Sequence, residues 1–144
     1  MKRALLVVFA AALTACSSAA TVNTAMAGTW FGTYTVTFAG QSPFSYTGQV
    51  IFSVSGDTLT ATDVCPDNSG TLVATGSGNT ATWTGTLVCP AHDVGGCQDL
   101  AYTFTSATAT LSSTGTTMMT QGSGTYTGCT NSGAFTFTFS GMQQ

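Results

Sequence analysis

The residues able to do chemistry fall into three short stretches. Asp63, Cys65 and Asp67 come first; Cys89, His92, Asp93, Cys97 and Asp99 follow; Cys129 stands alone. Cys89-x-x-His92 with Cys97 nearby has the donor types of a zinc site, but the paired C-x-x-C that such sites usually carry is missing. Asp63, Asp67, Asp93 and Asp99 offer the hard oxygens that Ca²⁺ takes. No D-x-D-x-D-G loop accompanies them, and solvated loop acids that keep a nearly uncharged domain soluble explain them more simply. His92 followed by Asp93 supplies two members of a nucleophilic triad. Adjacent residues usually point apart, however, and no G-x-S-x-G elbow occurs. The acids lack the placed pair that glycoside hydrolysis needs. These residues therefore predict no catalytic centre, no metal and no cofactor.

The N-terminus has the parts of a secretory signal. Lys2 and Arg3 form a positive n-region, Ala4 to Leu13 an apolar h-region, and Ala15 is the small residue before a cut. The apolar run is too short for a spanning helix, which takes about 20 residues. Leu13-Thr14-Ala15-Cys16 resembles the lipobox of bacterial lipoproteins. That resemblance implies cleavage after residue 15 and lipidation of Cys16. Ser17, where an Asp usually means inner-membrane retention, implies an outer-membrane address in a Gram-negative cell. The expected organisation is a signal peptide over 1–15, a lipidated flexible tether over 16–28, and one domain over 29–144. The tether follows from the small, polar, aperiodic run SSAATVNTAMAG.

Lys2 and Arg3 are the only basic side chains in the chain, against five acids. After processing, a strictly acidic protein would remain. Nucleic-acid binding, which needs Lys and Arg against phosphate, is excluded on this ground. A basic protein partner is electrostatically compatible. Low charge alone would suit disorder, but 43% hydrophobic content and 10% aromatics do not.

From residue 29 onward, apolar and polar residues alternate. The pattern predicts strands over about 29–39, 44–55, 58–64, 71–76, 80–88, from 99, over 116–128 and from 134. A change of phase near Ser106 predicts a bulge. Eight strands with short turns and one polar face predict an all-β, antiparallel up-and-down barrel, with a β-sandwich as the alternative. Thr-rich outer faces without lipid-facing aliphatics argue against a membrane-spanning barrel. The Thr-x-Thr ladders, such as Thr33/Thr35/Thr37 and Thr82/Thr84/Thr86, lack the fixed repeat of an ice-binding solenoid.

In such a meander alternate connections share one end. Cys65, Cys89, Cys97 and Cys129 are then brought to one end of the barrel with Asp63, Asp67, His92, Asp93 and Asp99, opposite the tether. Four cysteines in an exported domain read as two disulfides with three pairings open. Cys97–Cys129 is favoured because the sixth and seventh strands are neighbours, and Cys65–Cys89 would then join two loops.

Gly28-Thr29-Trp30 at the start of the first strand resembles the G-x-W opening of calycin barrels, the lipocalins and avidins. The resemblance implies an internal site for a small molecule and carries over no binding residues; a carrier of a small apolar ligand would have its cavity, and its ligand mouth, beside Trp30 and Trp83. The chain departs from lipocalins in having no basic residue near its last strand and no late helix. The strand phases put every aromatic residue of 29–144 except Phe31 inward, which predicts a filled interior. The leading functional expectation is a non-enzymatic envelope lipoprotein that binds a macromolecule, or inhibits one, through its acidic loop end. The alternatives are a carrier of a small apolar ligand and a structural envelope protein.

Overall fold

The computed structural model describes residues 20–65, 67–90, 92–94, 97–128 and 131–144. Nine strands carry the chain: β1 (Gly28–Phe38), β2 (Phe44–Ser55), β3 (Thr58–Thr62), β4 (Thr71–Ser77), β5 (Thr80–Val88), β6 (His92–Val94), β7 (Cys97–Leu111), β8 (Thr117–Gly128) and β9 (Asn131–Gln143). Sequential strands pair antiparallel, β5 skips β6 to pair with β7, and β1 pairs with β9. Eight strands therefore close an up-and-down barrel, as the alternation predicts, and the sandwich is excluded. The three-residue β6 folds back on the start of β7, within what the sequence predicts as a plain loop.

Period-two alternation explains the facing of almost every strand. On β1, Trp30, Val36 and Phe38 are buried; on β9, Phe135, Phe137 and Phe139 are. On β7 the inward set is Tyr102 and Phe104, then Ala107, Ala109 and Leu111. The register against β8 shifts between Phe104 and Ser106. That extra residue is the predicted bulge, and it keeps both halves of a long strand facing the core. A second irregularity, between Thr84 and Leu87 on β5, has no counterpart in the predicted pattern.

The interior has two levels. Large rings fill the upper part, where Phe104 meets Phe135 and Phe137 edge-to-face at 5.3 and 5.4 Å. Gly122 and Gly124 on β8 make room for them. A Cβ on Gly124 would come within 2.7 Å of the Phe135 ring, and one on Gly122 would collide with Phe137. The lower part is built around Trp30, Leu59, Ala81, Leu111 and Met118.

The lower mouth is closed by the chain's own N-terminal segment, which corrects the expected tether. The Val22 amide donates to Gly56 O at 2.9 Å, and the Asn23 amide to Gly78 O at 2.7 Å. A 3₁₀ turn over Thr24–Met26 follows, capped by the Asn23 side chain accepting from the Ala25 amide. Val22 and Met26 are buried under the barrel, and Trp30 Nε1 donates to Met26 O at 3.0 Å. The second half of the segment 16–28 is thus a plug, and the domain begins near Thr21 rather than at 29. Two isolated apolar residues in a run of small polar ones have no period, so nothing in the pattern marks them as core.

Met26 is 0% exposed. Met26→Ala is expected to cost about 2–5 kcal/mol in urea or guanidinium unfolding, as buried Met truncations do. A free tether would tolerate the same change at no measurable cost.

Candidate functional site

An apolar interior cavity of about 60 Å³ lies in the upper half of the barrel. It exists because the strands differ in length. β3 ends at Thr62, which pairs with Ile51, so only the lower half of β2 has a partner on that side. Residues 44–50 pair with β1 alone among the described residues. On the far side of the gap, β4 holds β5 only through Thr75–Ser77. The wall is closed below and slotted above.

The 63–70 loop forms the opposite bank of this slot. It leans toward β5: Gly70 packs against Cys65 Sγ and the Leu87 side chain, where no Cβ would fit. Gly70 has φ +85°, a left-handed conformation that suits glycine. The Cys65–Cys89 disulfide, with Cα atoms 5.5 Å apart, ties the loop to the end of β5. This is the expected loop-to-loop pairing. Such a bridge adds about 2–4 kcal/mol by restricting the unfolded chain.

Two tyrosines stand at the slot from the β1–β2 side. Tyr34 and Tyr46 stack with centroids 5.1 Å apart and planes 10° apart, and Tyr34 rests on Phe139 at 4.6 Å. Their closeness follows from the register, which sets Tyr34 opposite Tyr46 and Gly32 opposite Gly48. Tyr46 is 41% exposed, so it forms the rim. Ala61, Val64 and Leu72 face it, and Tyr102, Phe104, Phe135 and Phe137 line the depth. The Thr120 hydroxyl is the polar exception: its Oγ1 is buried at the cavity wall with no hydrogen-bond partner.

This arrangement offers dispersion and burial: among the described residues, the cavity is lined by rings, aliphatic groups and neutral hydroxyls. Burial pushes the Tyr34 and Tyr102 phenols well above their usual range, with neighbouring Tyr46 adding to the rise, and burial raises Tyr46 as well. They are neutral at physiological pH.

The residues predicted as sites are placed differently. Trp30 is 0% exposed on the floor, hydrogen-bonded to Met26, and does not line the cavity; nor does Trp83, buried on β5. The cavity expected beside Trp30 and Trp83 is instead lined by Tyr34 and Tyr46. Alternation reads which face a residue takes but not its height along the barrel. Asp67 is engaged in its own loop, its Oδ1 accepting from the Ser69 amide at 3.0 Å and from Ser69 Oγ. Asp63 follows β3 with φ 63°. The backbone of His92 and Asp93 on β6 and of Asp99 on β7 lies at the same end. Whether these side chains converge lies outside the described residues, as do Cys16, Cys129 and hence the Cys97–Cys129 bridge.

Tyrosine ionisation gives a test of this environment. A phenol with a raised folded pKa binds its proton more tightly in the native state. Its contribution to stability is whole below the unfolded value of about 10 and is lost as pH rises above it. In absorbance titration at 295 nm, Tyr34 and Tyr102 are expected to resist ionisation above pH 10 until the barrel unfolds. Reversible ionisation of both near pH 10 in folded protein would contradict the buried geometry.

In comparisons with known protein families, with curated proteins and with solved structures, no family model, no curated protein and no solved structure matches this chain.

Proposed function

We propose that this protein is a lipid-anchored envelope protein whose barrel receives an apolar group through the side slot between Tyr46 and Leu72. The observation that carries the binding half is the cavity itself. It is apolar, it opens to the outside, and it lies where the wall lacks strand pairing. An eight-stranded antiparallel barrel also fits the calycin-like resemblance of Gly28-Thr29-Trp30, whose families hold ligands inside. Burying one branched alkyl group there is worth about 1.5–3 kcal/mol. The cavity is well below the roughly 150 Å³ that admits benzene in an engineered apolar site, so the group is small.

The anchoring half rests on the residues. Lys2, Arg3, the apolar run and the Leu13–Cys16 lipobox pattern fall in register. The plug begins at Thr21, so a lipid on Cys16 would hold the barrel floor within about 17 Å of the bilayer, at roughly 3.5 Å per extended residue. The slot, set in the upper wall, would face away from that surface.

Each half has its own test. Intact mass of the protein isolated from its cells is expected to show a chain starting at Cys16 and carrying acyl groups, lost in Cys16→Ser. An unmodified chain retaining residues 1–15 would remove the anchor.

For the cavity, isobutanol serves as a probe of one branched alkyl group. Titration is expected to shift the methyl NMR signals of Val50, Val64 and Leu72 saturably. Ala61→Leu, which fills the space, is expected to abolish those shifts while keeping the fold or adding about 0.5–2 kcal/mol. Shifts that persist unchanged in Ala61→Leu would place the alcohol elsewhere and sink the reading.

A further inference from the structure

We infer that the apolar group is a side chain on an extended polypeptide strand, which adds to the free edge of β2 at Phe44–Val50. This rests on the cavity reading above and names its ligand.

The first ground is the edge. Across residues 44–50 the backbone has β1 on one side and no strand on the other among the described residues. Seven residues of strand extend about 23 Å at 3.3 Å each, longer than a typical whole strand. Among the described residues, the side-chain hydrogen bond to a backbone group there is Tyr34 Oη to Gln49 O, a long 3.5 Å. Unpaired strand backbone is a template for another chain, and proteins normally guard it with Lys, a bulge or Pro. This stretch, Phe44-Ser45-Tyr46-Thr47-Gly48-Gln49-Val50, has none of these within it; Pro43 stands just before.

The second ground is how edge and cavity combine. A strand laid against β2 would continue the barrel wall, and its alternate side chains would point inward. One of them would enter between Tyr46 and Leu72, where the cavity opens. The space of about 60 Å³ suits a single branched side chain rather than a whole free ligand. Backbone pairing would then supply the length of the contact, and the cavity its choice of residue.

The third ground is charge. β2 carries no ionisable side chain except Tyr46, whose phenol is neutral at physiological pH. The partner is therefore a neutral strand of alternating small polar and branched apolar residues, matching the neighbours it would join.

The test leaves the protein unaltered and varies the probe. The parent is the blocked, uncharged heptapeptide QTTLTTQ. Its companions replace the Leu by Ser, or carry N-methyl groups on one or the other alternate set of amides. The parent is expected to bind and to protect amides of residues 44–50 from hydrogen exchange. The Ser peptide should bind about tenfold more weakly or worse, from the lost burial of the isobutyl group. One N-methylated set should abolish binding and the other should not, because only one edge of the added strand faces β2.

If isobutanol binds but both N-methylated peptides behave like the parent, or no amide is protected, the site takes a free apolar molecule and strand addition is wrong. A dimer in sedimentation equilibrium that the peptide cannot compete apart would assign the edge to a second copy and also overturn it. Failure of both isobutanol and peptide would remove the cavity reading itself.

Discussion

Backbone pairing around a closed ring is the constraint on which the rest of this structure depends. A barrel removes its edges only where every strand has two partners of matching length. Here β2 has twelve residues and its neighbour β3 has five. The lower belt closes completely, and the upper belt cannot. The slot, the rim tyrosines and the position of the disulfide all follow. Cys65–Cys89 acts where strand pairing between β4 and β5 has run out, holding a loop in the place a longer ladder would occupy.

The core answers the same mismatch from inside. Where the wall is complete, small and aliphatic residues such as Ala81, Ala109 and Leu111 surround Trp30 and the Met26 plug. Where it is slotted, rings dominate: Phe38 packs on Tyr126 at 4.5 Å, and Tyr102 on Phe135 at 5.2 Å. Aromatic groups bury much area per fixed torsion, so they hold a partly open wall without many strand bonds. The glycines on β8 are the complement of those rings, since the Phe135 and Phe137 faces lie against the strand where any side chain would collide. The small void left among the rings is a consequence of filling an incomplete wall with rigid planar groups.

Much of this fold was legible in the alternation of residues. Strand limits at Phe44, Ser55, Thr80 and Val88 coincide with the predicted ones, and the phase change near Ser106 marks a real shift of register. Phe31, the one aromatic assigned outward, is exposed. What could not be read was anything set by three dimensions at once. Val22 and Met26 become core because the lower mouth needs a cover, and no local period announces that. The slot depends on comparing the lengths of β2 and β3 after closure. Trp30 looked like a mouth residue because its face was known and its height was not. The Cys65–Cys89 pairing was within reach because the meander had already put both loops at one end.

The absence of Lys and Arg beyond Arg3 shapes how such a slot can recognise anything. The loop acids at the same end could attract a basic partner from a distance, but steering of that kind fades beyond a Debye length of about 8 Å at physiological salt. Among the described residues, the slot holds hydroxyls, rings and aliphatic groups. Selectivity there must come from shape and from backbone direction. A neutral edge also discriminates by cost, because a charged side chain carried into the ring-lined space would lose its water without gaining a partner. Thr120 extends the same logic: one unpartnered hydroxyl on an apolar wall penalises nothing that brings a hydrogen-bonding atom to it, and leaves the hydroxyl unsatisfied otherwise. Open edge, rigid aromatic wall and lack of charge therefore act together, each narrowing what can enter the gap that unequal strands create.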